Sequence, residues 1–124
     1  MLRQWQIFLK KAKSDLEAAE VLLEAGADVE QVLFHLQQAV EKLLKALLSF
    51  KGIDFPKTHD LEVLSQLYRK KGLELPGYIE EFPKLTPFAV EFRYGMLEGE
   101  VPDPRQFLKM VKEFSNFVER TVKS

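Results

Sequence analysis

Residues 34–48 read FHLQQAVEKLLKALL, and this stretch decides the fold class. Apolar residues recur in and just after it at alternating spacings of four and three, namely Leu36, Val40, Leu43, Leu47 and Phe50. This spacing is typical of an α-helix, whose period is about 3.6 residues. Further apolar residues widen the stripe to roughly half of the helix circumference; they are Leu33, Ala39, Leu44, Ala46 and Leu48. We therefore expect a helix, ending near Gly52, that is central or that packs inside the domain on one side and across a dimer on the other.

Two more long helices are predicted on either side of this one. The first runs from about Leu2 to Ala25, and the last begins at Asp103-Pro104, a cap followed by proline. Their apolar stripes are Trp5, Leu9, Ala12, Leu16, Ala19 and Leu23 in the first, and Phe107, Val111, Phe114 and Val118 in the last. No stretch alternates with a period of two, so we expect no strands. The sequence predicts an all-α, up-and-down antiparallel bundle of about five helices.

The remaining segments predict shorter helices and their caps. Asp28 and Gln31 are expected to form a capping pair for the second helix, and Thr58 is expected to be the N-cap of a third that ends at Gly72. Residues 73–103 are less regular. There we expect one short helix opened by Pro76 and another that starts at Thr86-Pro87 and ends at Gly95.

Length and composition predict the broad class of protein. The 124 residues fit one domain, residues 1–124. A net charge of −1 argues against a general nucleic-acid binder, which normally carries a basic excess. There is no cysteine, which excludes disulfides and thiolate chemistry. We find neither a signal-peptide pattern nor a run of roughly 20 apolar residues, so we expect a cytoplasmic protein with no membrane association.

Several common functional motifs are absent from the sequence. The glycines stand singly, so there is no glycine-rich phosphate loop and no dinucleotide fingerprint. The two histidines do not form a His-Glu-x-x-His pair. We therefore expect no metal site and no bound cofactor.

The narrow polar face of the second helix holds candidate ligand-binding residues. These are His35, Gln38, Lys42, Lys45 and Ser49. Two lysines about one turn apart can hold an anion, to which His35 and Gln38 would add hydrogen bonds; the alternative is a solvated face. Glu41, at the border of this face, lies four residues before Lys45, the spacing of a helical ion pair.

Two further pairs of residues are candidates. His59 and Asp60 open the third helix, where the helix dipole disfavours a charged histidine, so the pair either binds a ligand or closes the turn structurally. Arg93 offers a planar fork of donors for phosphate, and Tyr94 offers a ring for stacking. In the alternative, structural interpretation, Tyr94 packs in the bundle, and Arg93 caps a helix end or pairs with a carboxylate.

Three stretches together resemble the HEPN family, the "higher eukaryote and prokaryote nucleotide-binding" helical domains. They are FHLQQAVEKLLKALL at 34–48, THDL at 58–61 and FRYG at 92–95. The opening AKSDLEAAEVLLEAG at 12–26 is similar to the first helix of the family. The order of the stretches fits as well, so the resemblance covers nearly the whole chain.

The resemblance implies an up-and-down helical bundle that dimerises and works with a small nucleotidyltransferase in toxin–antitoxin-like pairs. Many members are ribonucleases with an arginine followed a few residues later by a histidine. Arg93 would supply the arginine, but no histidine occurs after His59. The motif is therefore broken, and we assign no catalytic residues and lean against enzymatic activity.

Three hypotheses follow. In the leading one, a homodimeric HEPN-like domain binds a nucleotide of unknown identity and acts with a nucleotidyltransferase; Arg93 holds phosphate, Tyr94 stacks, and Lys42 and Lys45 supply positive potential. In the second, the chain is a non-catalytic dimerisation or interaction module, whose wide apolar arc on the second helix docks the transferase. In the third, it is a ribonuclease with a degenerate motif that recruits another base, such as His59 or Glu98.

Overall fold

A computed structural model describes residues 1–89 and 101–123 of the chain. Its elements are α1 (Gln4–Glu24), α2 (Val29–Phe50), α3 (Leu61–Arg69), a 3-10 helix (Gly77–Phe88) and α4 (Pro104–Lys123). The described residues contain no β-strand. The prediction of an all-α bundle of about five helices is confirmed.

The second helix, α2, is the centre of the bundle. It contacts α1, α3, the 3-10 helix and α4. Every residue of its predicted apolar arc from Leu33 to Leu48 is at most 1% exposed. The arc is therefore covered inside the chain. Of the two expected arrangements, the central one is correct, and this surface is not available to a dimer partner or to a docked transferase.

The long helices α1 and α2 run antiparallel. At one end of the pair, the Trp5 and Phe50 rings meet edge to face with centroids 5.3 Å apart. Further along, Asp15 of α1 reaches Lys42 of α2. The predicted stripe of α1 faces the core, since Leu9, Ala12 and Ala19 are buried and Trp5, Leu16 and Leu23 pack against them.

Helix α4 closes the bundle against α1 and the 3-10 helix. Ion pairs join Lys13 to Glu119 and Glu20 to Lys112, so α4 runs antiparallel to α1. At its centre, Phe114 is fully buried. Its ring lies among those of Tyr78, Phe82 and Phe117, with centroids 5.6–6.5 Å away.

Three local predictions are wrong. The N-cap of α3 is Asp60, whose carboxylate accepts from the backbone N–H groups of Glu62 and Val63; Thr58 instead accepts from the N–H of Asp60. Asp28 is the N-cap of α2 but makes no side-chain cap hydrogen bond. The two short helices expected after residue 76 are one 3-10 helix in the described part, interrupted by neither Pro83 nor Pro87. Proline has no N–H for an α-helical bond, which favours the tighter and less regular winding. The continuation to Gly95 lies outside the described residues.

None of the helices within residues 1–89 and 101–123 is long and apolar enough to cross a membrane.

Candidate functional site

The polar face of α2 divides into two clusters, each organised around one carboxylate. In the first cluster, Asp15 of α1 joins two residues of α2. Nδ1 of His35 lies 3.0 Å from Oδ1 of Asp15, and the ammonium of Lys42 donates to the other carboxylate oxygen. The Asp15 side chain is 14% exposed and that of Lys42 is 23% exposed. His35 and Lys42 therefore link two helices, and the charge of Lys42 is compensated.

The second cluster, the Glu41 cluster, consists of Gln37, Glu41, Lys45 and His59. Lys45 Nζ donates to Oε2 of Glu41 at 2.9 Å, as its position four residues later predicted. Nδ1 of His59 lies 2.7 Å from Oε1. Gln37 donates to the same Oε1 at 3.1 Å and to the backbone carbonyl of His59 at 3.2 Å. The cluster thus ties α2 to the segment that precedes α3.

The Glu41 carboxylate is ionised in spite of its burial. Glu41 is only 5% exposed. Burial by itself raises the pKa of a carboxyl group, but the hydrogen bonds from Lys45, His59 and Gln37 and the charge of Lys45 outweigh it, so the pKa of Glu41 lies below its ordinary value. A buried anion of this kind is stable only while its hydrogen-bond partners stay in place.

The geometry determines how the His59 ring is presented. An ionised carboxylate can only accept, so Nδ1 of His59 carries a hydrogen and donates it to Glu41. In the neutral ring, Nε2 is then a hydrogen-bond acceptor. The His59 side chain is 60% exposed, and among the described residues Nε2 has no hydrogen-bond partner. The Glu41 cluster therefore orients the His59 ring through Nδ1 and leaves Nε2 without a partner among the described residues.

The predicted site residues fall into separate places. Lys45 and His59 meet at Glu41, and Gln38 adjoins them by donating to Gln37 at 2.6 Å. His35 and Lys42 belong to the Asp15 cluster instead. Asp60 caps α3. Arg93 and Tyr94 lie outside the described residues, as does Glu98.

Two residues of these clusters were missed from the sequence. Asp15 is the partner of His35 and Lys42, and nothing in its local sequence indicates a contact twenty or more residues away. Gln37 had a signal, because it precedes Glu41 by four residues, the same spacing that predicted the Glu41–Lys45 pair. No three histidine, aspartate or glutamate side chains within residues 1–89 and 101–123 come together in a way that could hold a metal ion.

The described helices form a small helical bundle in which α2 is central. A family model described as the HEPN domain matches residues 5–123. The chain belongs to the HEPN family.

One curated relative and two solved structures are similar to the chain. The relative is named "Putative toxin MJ1304", from Methanocaldococcus jannaschii, and is 41% identical over 102 residues, which cover 80% of this chain. The match spans 64% of that relative's length. The structure of ST0689, an archaeal HEPN homologue, has a TM-score of 0.70 at 25% identity and covers 98% of this chain and 99% of its own. The structure of TT1696 from Thermus thermophilus has a TM-score of 0.76 at 23% identity, with 96% and 98% covered, and shows the likeness of fold.

Proposed function

We propose that the chain, residues 1–124, is one HEPN domain that acts as the toxin-like member of a toxin–antitoxin-like pair, binds a nucleotide and works with a small nucleotidyltransferase. The observation that carries the proposal is the 41% identity, over 80% of the chain, to a relative named as a toxin. The family model over residues 5–123 supports the assignment of the chain to one such domain.

The nucleotide site of the proposal centres on Arg93 and Tyr94. Arg93 holds phosphate through its fork of donors, and Tyr94 stacks on or orients the base. Lys45 supplies positive potential and His59 a hydrogen bond. Lys42 and His35 contribute only indirectly, because both contact Asp15. Gln38 also contributes indirectly, because it donates to Gln37.

The proposed working unit is a homodimer. The apolar arc of α2 is covered inside the chain, so another surface has to form the contact. Ile7 and Val21 lie about four turns apart on α1 and are 40% and 58% exposed. Helix α1 is the proposed dimer contact because both side chains lie on the part of this helix that the core does not cover.

The proposed function is tested by expressing the full chain in a bacterial host. We expect growth to stop on induction and to resume when the nucleotidyltransferase from the same cells is co-expressed and co-purifies with the chain. Arg93→Ala is expected to relieve the arrest, whereas the matched variant Arg105→Ala, an exposed arginine of α4, keeps it. Uninterrupted growth with soluble wild-type chain, or equal arrest by Arg93→Ala, contradicts the proposal.

A ribonuclease that uses His59 as its base is the second candidate function, and the 2.7 Å contact between Glu41 and His59 favours it. Nε2 of His59 would take the proton of a ribose 2′-hydroxyl, whose oxygen attacks the neighbouring phosphorus. The bond from phosphorus to the 5′-oxygen breaks, and that oxygen takes a proton from water, leaving a 2′,3′-cyclic phosphate.

Cleavage of RNA in the presence of EDTA tests this second candidate. We expect His59→Gln to lower the rate about a hundredfold or more, because a positioned base contributes about 10²–10⁴-fold. Lys70→Gln, an exposed position at the end of α3, is the control and is expected to keep the wild-type rate. Absence of metal-independent cleavage by the wild type rules the candidate out.

A further inference from the structure

A groove lies beside the Glu41 cluster, between the start of α1 and the segment that follows α2. Its volume is about 460 Å³. Gln4 and Phe8 of α1 and Lys45 and Ser49 of α2 form one side, and residues 52–57 form the other. Gly52, at a φ of 71°, turns the chain out of α2 and so creates this second wall.

Aromatic rings line the groove without being fully buried. Phe8 and Phe55 meet edge to face with centroids 6.1 Å apart, and both rings pack only partly against the core. The ammonium of Lys45 lies 5.9 Å from the centroid of Phe55. A partly open phenyl ring in a concave surface offers a face on which a flat ligand ring can stack.

Charged groups lie at the floor and the rim of the same groove. Lys45, at the floor, has three N–H donors and makes one hydrogen bond, to Glu41, within the described residues. Lys57 and Asp54, at the rim, are exposed, and neither takes part in an ion pair in the part of the chain that the structure describes. The groove thus combines the exposed ammonium of Lys57 and the ammonium of Lys45, which Glu41 already engages, with one carboxylate that can accept from hydroxyls.

We propose that this groove binds a nucleoside monophosphate, with the base against Phe55 and Phe8 and the phosphate held by Lys45 and Lys57. An aromatic wall next to cationic donors is complementary to a flat ring that carries an anion, and Asp54 suits the ribose hydroxyls. Small-molecule sites have volumes of about 300–1,000 Å³, and the groove, at about 460 Å³, lies within that range. The inference rests on the proposed nucleotide binding and places it, as an alternative to Arg93 and Tyr94, on residues that the structure describes.

The probes are AMP, adenosine and ribose 5-phosphate, titrated calorimetrically into the full chain. We expect AMP to bind more tightly than either fragment, since only AMP fills both parts of the groove. Phe55→Leu should weaken AMP by about tenfold, the effect of losing one stacking ring. Lys57→Gln should weaken AMP about two- to fivefold and leave adenosine unchanged.

Two variants keep the test decisive. Phe55→Tyr retains the ring and should retain the affinity, which separates loss of stacking from loss of folding. Lys109→Gln removes an exposed charge from α4 and should leave AMP binding unchanged.

AMP binding that survives Phe55→Leu but is lost in Arg93→Ala overturns the groove and leaves nucleotide binding standing. No AMP binding up to millimolar concentration also overturns the groove, while the growth assay still tests the toxin-like function separately.

Discussion

Glu41→Ala is expected to lower the free energy of unfolding by about 3 kcal/mol at neutral pH, because it leaves the Lys45 charge without its partner. The Lys45 side chain is only 13% exposed, so water compensates little of the lost ion pair. The same change removes the acceptor of His59 Nδ1 and of Gln37. Urea denaturation measures the change, and the thermal midpoint should fall by about 10 °C.

An exposed glutamate provides the control for this prediction. Glu17→Ala, on the outside of α1, should change stability by less than about 0.5 kcal/mol. A loss in Glu41→Ala no larger than that of Glu17→Ala would show that the Glu41 cluster does not stabilise the fold.

The stability that Glu41 contributes should also depend on pH in one direction. Its pKa in the folded chain lies below the ordinary value of 4.5. The contribution is therefore fully present above about pH 4.5 and is lost as the pH falls through the folded pKa. The difference in the free energy of unfolding between wild type and Glu41→Gln should therefore become smaller below about pH 4.5. A gap that stays constant from about pH 7 to about pH 3 would assign the effect to packing instead of charge.

Phe114→Ala is expected to lower the free energy of unfolding by about 4 kcal/mol, the usual cost of removing a large ring from a packed core. Phe114 is fully buried and packs against Tyr78 and Phe82 of the 3-10 helix. The loss is a large part of the total stability of a domain, which is about 5–15 kcal/mol. Urea denaturation measures the loss. If the slope of the free energy of unfolding against urea concentration is unchanged, the effect belongs to the folded core.

Two matched variants on α4 test the cause. Phe114→Leu keeps most of the apolar volume and should cost clearly less than Phe114→Ala. Asn116→Ala changes an exposed position of the same helix and should have little effect. If Phe114→Leu and Phe114→Ala were equally destabilised, the volume of the cavity would not explain the loss.

The long helices were predictable because their signal is local and repeats. The apolar residues of α1, α2 and α4 recur about once every 3.6 residues along helices of 20–22 residues, and each of the three stripes faces the core. The wide arc of α2 correctly indicated that this helix has neighbours on several sides. The Glu41–Lys45 pair was predictable for the same reason, since both residues lie on one helix at a fixed spacing.

The clusters and the groove depend on contacts between residues far apart in the chain. His35 and Lys42 contact Asp15 of α1, so they do not join Lys45 and His59 as the sequence predicted. His59 contacts Glu41, which lies 18 residues earlier in the chain. Phe8 meets Phe55 only because α1 packs antiparallel to α2. Periodicity predicts which face of a helix is buried, but which helices pack together, and with what register, is determined by the tertiary packing of the whole core. The helices can therefore be derived from the amino-acid order, whereas the partners of Glu41 and the groove beside it follow only from the folded bundle.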